Sequence, residues 1–179
     1  MRILAVVGAL AIFTALFFSV VVFSGYFNVA ATEPHTPPGR WLLSTTMTQS
    51  VRYHAQAIKA PPLGEAVQLA DGFRHYQAHC ETCHGAPGVP PGKVGKGLTP
   101  EPPELDEAAS HWSAEELFWI IKHGIRMTGM PAWGVSFSEE KLWALVAFVQ
   151  ELPEITPADY QKMAASIEHG AHKKAPSAH

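Results

Sequence analysis

Cys80-Glu81-Thr82-Cys83-His84 is the stretch whose reading decides the fold. Two thiols three residues apart add to the two vinyl groups on one edge of a haem, and the imidazole that follows is then held beneath the iron. C-x-x-C-H therefore supplies attachment and ligation together. Two other chemistries use a C-x-x-C. A thioredoxin-like redox pair needs a βαβ setting, and no alternating β-branched run precedes Cys80. Half of a zinc site needs partners, and with only two cysteines in the chain every further ligand would be a histidine or a carboxylate. One C-x-x-C-H means one haem.

Some tens of residues downstream comes Thr128-Gly129-Met130-Pro131-Ala132-Trp133-Gly134. C-x-x-C-H followed by Gly-Met-Pro-Ala-Trp resembles the class I cytochromes c, over roughly the central half of the chain. The resemblance implies an all-α fold around one covalently bound haem c, with His84 and Met130 as axial ligands of the iron. Histidine–methionine ligation favours ferrous iron and leaves no open position for substrate, so it implies an electron carrier and not an enzyme. Gly129 and Pro131 shape a loop that can approach a flat cofactor closely. Met127, or His111 or His123 in a bis-histidine site, are the rival ligands. The resemblance also admits the cytochrome subunit of a respiratory dehydrogenase or oxidase. Two other functions stand beside it: a haem enzyme or gas sensor with an open distal site, and an exported metal-binding module using the histidines near the C-terminus.

Ile3 to Phe23 is a run of 21 residues without a charge. At 1.5 Å per residue a helix of that length crosses a bilayer core of about 30 Å. The run is longer than the 7–15 apolar residues usual for a signal peptide, although Val29-Ala30-Ala31 offers small residues of the cleavage type. The reading is an uncleaved anchor, with a soluble periplasmic protein as the alternative. Arg2 precedes the run and the next basic residue is Arg40, so the charge bias places the remainder of the chain outside the cytoplasm. The expected divisions are 1–25 anchor or signal segment, 26–63 proline-rich connector, 64–155 haem domain and 156–179 flexible histidine-containing tail.

In the connector, Leu43, Met47, Val51, Ala55 and Ile58 fall near helical spacing and end at Pro61-Pro62. This amphipathic helix lies either on the membrane surface or against its own domain. In the haem domain a helix from about Ala66 to His79 delivers Cys80. Gly72 in its interior costs about 1 kcal/mol relative to alanine unless close packing compensates. The resemblance pairs Gly72 and Tyr76 with a last helix, Glu139 to Leu152, that offers Leu142, Trp143, Val146 and Val149, with Ser138 as N-cap and Pro153 as stop. Ser113-Ala114-Glu115-Glu116 is a capping-box pattern opening a helix to His123, with Gly124 as a left-handed cap. Leu117, Phe118, Ile120 and Ile121 are expected to wall the haem pocket. Gly85 to Leu105, rich in Gly and Pro, reads as irregular chain. The resemblance supplies a proline carbonyl there for the proximal imidazole, with Pro90 and Pro91 as candidates.

Residues 64–155 carry 13 acidic and 6 basic side chains, a net charge of −7 with histidines neutral. Such a domain is not a nucleic-acid binder. Its expected partners are redox proteins, membrane-bound like itself. Lys93, Lys96, Lys122 and Arg126 allow a local positive docking face, and scattered solvated charge is the other reading. After Glu154, His169, His172 and His179 lie among Ala, Lys, Pro and Ser; they suit copper or zinc capture or a solvated polar tail.

Two thioethers make haem inseparable from the denatured polypeptide. Haem staining should persist on a denaturing gel, and Cys80→Ser or Cys83→Ser should weaken the stain and lower the yield of folded protein. Complete extraction by acid–acetone from the wild type would overturn the attachment.

Overall fold

The computed structural model describes residues 2–173, with side chains described through residue 166. The chain divides into two compact units, one ending at Glu33 and the other beginning at Pro34. The first unit holds α1 (Arg2–Phe23), 22 residues with no buried side chain. It is long and apolar enough to cross a membrane.

The second unit is built from helices, with no strand among the described residues. Helix α2 runs Pro37–Ala55, starting earlier than the apolar spacing suggested. Pro37 and Pro38 occupy its first turn, where a missing N–H costs nothing and a fixed φ helps. Its C-terminal half settles the question of what it packs on. Val51 and Ala55 are buried, and the His54 ring stacks on Trp119 of α7 (Ala114–His123) at 5.5 Å and 8°. So part of the expected connector belongs to the domain.

Helix α3 spans Ala66–His79, and after Cys80 the chain makes one further turn, α4 (Glu81–His84). Two short helices, α5 (Lys93–Lys96) and α6 (Leu105–Ala108), punctuate the irregular chain that follows. The capping box opening α7 is complete: Glu116 N–H donates to Ser113 Oγ at 3.2 Å and Ser113 N–H to Glu116 Oε2 at 2.9 Å. Gly124 then takes φ +64° with ψ −177°, a glycine conformation but not the left-handed helical cap expected. Helix α8 is Glu139–Glu151; Ser138 sits at its N-cap without a capping hydrogen bond, and Pro153 lies in the 3₁₀ turn that ends it.

Helix α8 is buried nearly all round: Leu142 and every residue from Ala144 to Val149 are shielded. A helix apolar on all sides is a central one. It crosses α3 at Gly72, where a Cβ would stand 2.0 Å from the Ala144 carbonyl oxygen and 2.8 Å from Phe148 Cβ. Gly72 therefore meets Ala144 and Phe148, while Trp143 turns away to stack on Phe118 at 4.1 Å. Phe73 and Tyr76 each approach the Phe148 ring at 5.3 Å.

The segment expected to be a flexible tail continues the fold. Helix α9 (Pro157–Lys173) places Tyr160, 1% exposed, against Phe73 at 5.2 Å. Met163 and Ala164 pack on the core beside it, so three residues dock a largely polar helix. The side chains of His169 and His172, and residue His179, lie outside the described residues.

Because the obstruction at Gly72 is backbone and not a flexible side chain, Gly72→Ala should destabilise the domain by about 3 kcal/mol, the upper end for an overpacked core. A urea midpoint measured by tryptophan fluorescence will report it, and Gly97→Ala, with only ordinary contacts, is the control.

Candidate haem site

The attachment turn is held from several sides. Helix α4 has only four residues, too few to be stable alone. Tyr76, fully buried on α3, donates its hydroxyl to the Gly85 carbonyl at 2.6 Å, closing the C-terminal end of the turn. Gly92 N–H donates to the Thr82 carbonyl at 3.0 Å, and a Cβ on Gly95 would stand 2.5 Å from the Cys83 carbonyl oxygen, so α5 lies directly on the turn. Cys80 and Cys83 are half-buried and not bonded to one another. Burial, and then the neighbouring Cys83, push the Cys80 thiol up to about 12, which keeps it a neutral thiol at physiological pH.

His84 Nδ1 lies 2.8 Å from the carbonyl oxygen of Pro103. A carbonyl only accepts, so Nδ1 carries the proton and Nε2 presents its lone pair. Burial lowers the pKa of His84, with the Pro103 bond opposing, and favours the neutral imidazole that metal ligation requires. The partner is thus Pro103, not Pro90 or Pro91. The chain folds back through a tight Ala86–Val89 turn that packs Pro91 against Gly85 and carries Pro103 to the imidazole.

Met130 is half-buried and packs on the core, with its amide donating to Thr128 Oγ1 at 3.2 Å and its carbonyl accepting from Ile125 N–H at 3.3 Å. A Cβ on Gly124 would stand 2.7 Å from that carbonyl, and one on Gly129 would meet Leu98 Cδ1 at 2.5 Å. Gly124 is required by this approach to backbone, whereas at Gly129 the neighbour is the Leu98 side chain. The rivals are elsewhere. Met127 is 73% exposed at φ +62°. His123 lines a cleft of about 390 Å³ with His54 and Trp119, and His111 lines one of about 550 Å³ with Pro103 and Glu107; neither cleft includes Met130. Of the four residues expected to wall the haem pocket, Leu117, Phe118 and Ile121 are buried in the core, Ile120 is half-buried, and Phe118 is stacked on Trp143.

Two unbridged thiols, a neutral imidazole with one nitrogen fixed by a carbonyl, and a thioether on a glycine-shaped loop form a donor set that fits a c-type haem. Residues 67–149 match the family model of cytochrome C oxidase, cbb3-type, subunit III. Residues 67–149 are a class I cytochrome c domain. No curated protein matches the chain. A cytochrome c domain carries a covalently bound haem with iron and transfers electrons. Sequence reasoning about this cytochrome missed Pro103, which no local signal separates from the other prolines of the same stretch. It also missed Tyr160, whose one signal was an aromatic residue in a polar segment.

Proposed function

We propose that the protein is a membrane-tethered, monohaem electron carrier whose haem is bound through Cys80 and Cys83 and ligated by His84 and Met130. The observation that carries this reading is the Nδ1–H of His84 donated to Pro103, which leaves the ring's lone pair on Nε2. The haem supplies the one-electron couple. The chain's residues do the rest: Pro103 orients the imidazole and raises its basicity, and the Gly124–Gly129 loop holds the Met130 thioether to close the coordination sphere. With His84 and Met130 both holding the iron, no position would remain for a substrate, and the protein would be a non-catalytic carrier or the cytochrome subunit of a respiratory oxidase or dehydrogenase.

Helix α1 serves as the anchor, with the haem domain in the periplasm, as the distribution of basic residues from Arg2 to Arg40 favours. Between Glu33 and Glu65 there is no carboxylate, only Arg40, Arg52 and Lys59. Redox partners in the same membrane then meet the carrier at raised effective concentration without any added contact.

Met130→Ala should open a coordination position, abolish the far-red methionine-to-ferric-iron band, lower the potential and admit carbon monoxide; Met127→Ala should do much less. If Met127→Ala removes the band and Met130→Ala leaves it, the distal ligand is Met127.

Replacing residues 1–30 with a cleavable export signal should leave spectrum and potential unchanged and reduce electron delivery to membrane partners. Recovery of the native protein in the soluble periplasmic fraction with an amino terminus near Thr32 would make the segment a signal peptide.

A further inference from the structure

The attachment turn α4 is closed by tyrosine hydroxyls at both ends. Tyr76 holds the Gly85 carbonyl from α3, within the residues that match the cytochrome family. At the other end Tyr160 Oη donates to Glu81 Oε2 at 2.5 Å, across 79 residues of sequence, from a helix beyond the matched segment. The Tyr160 ring is fixed by Phe73 and is 1% exposed, so its hydroxyl has little freedom to follow a carboxylate that moves. Glu81 is half-buried and stands in the motif between Cys80 and Cys83, which makes it the carboxylate nearest in sequence to both points of haem attachment.

We propose that Tyr160 is a positioning residue for electron transfer: it pins the Glu81 carboxylate against the haem-attachment turn and so sets part of the electrostatic field at the iron. A negative charge held near the haem out of bulk water favours the ferric state, because the interaction is weakly screened where the dielectric is low. Released, the carboxylate turns to solvent and its charge is screened. The electron-transfer unit therefore extends into α9. This inference rests on the attachment of haem at Cys80 and Cys83.

The test uses the full-length holoprotein in detergent and three variants: Tyr160→Phe, which keeps the ring and its packing; Glu81→Gln, which keeps an acceptor but removes the charge; and the double variant. Two quantities are measured: the reduction potential, and hydrogen exchange of the Cys83–Gly85 amides. The potential should rise in Glu81→Gln and, by a smaller amount, in Tyr160→Phe. In the Glu81→Gln background, Tyr160→Phe should accelerate exchange yet leave the potential where it was. An unchanged or lowered potential in Tyr160→Phe, or additive shifts in the double variant, would overturn the proposal and leave the bond as a packing contact. Haem staining of each variant on a denaturing gel reports separately on the attachment.

Discussion

The contact of backbone on backbone where α3 crosses α8 is the constraint on which the rest of the cytochrome c domain depends. With no side chain at Gly72, the Ala144 carbonyl occupies the space a Cβ would fill, and the two helices approach closer than any other residue would allow. That distance sets the depth at which Phe73, Tyr76 and Phe148 interlock, and Tyr76 lies in the last turn of α3, one turn before the first cysteine. Moving α3 outward would carry the attachment turn with it. The cost of an interior glycine, about 1 kcal/mol, is offset by the burial this approach permits.

The turn itself has little stability of its own, and the surrounding chain supplies what it lacks. Its carbonyls and carboxylate are satisfied by Tyr76, by Gly92 and by Tyr160, and its imidazole by Pro103. These partners come from α3, from the irregular segment and from α9, so the site is assembled by nearly the whole second unit. A four-residue helix could not orient a ligand alone, because each helical turn must first overcome a costly nucleation. The Met130 loop follows the same logic, with glycines at 124 and 129 yielding room to a carbonyl and to Leu98.

Electrostatics divides the chain along its length. The segment from Pro34 to Gly64 has three basic residues and no carboxylate, whereas residues 64–155 carry −7. At physiological ionic strength such fields act over about 8 Å, so they bear on what the nearest surface meets rather than on the whole molecule. Within the domain, burial acts in one direction on each group: it keeps His84 neutral and the Cys80 thiol protonated.

By itself the sequence determined the chemistry and the local elements. C-x-x-C-H names its cofactor, the capping box at Ser113 and Glu116 starts α7, Gly72 declares a close helix crossing, and an uncharged run of 21 residues declares α1. Each of these is a short-range pattern whose physical cause lies within a few residues. The tertiary structure alone decided which partners meet. Pro103 and not Pro90 or Pro91 reaches the imidazole: Pro91 is packed on Gly85, and the chain returns to His84 only 19 residues after that histidine. Helix α2 packs on α7 through His54 and Trp119, although its sequence suited a membrane surface equally well. Residues 157–166 join the core through Tyr160, although their composition reads as a tail. In all three cases the deciding contact joins residues far apart in the chain, and long-range pairing leaves no periodicity or spacing for a local pattern to record.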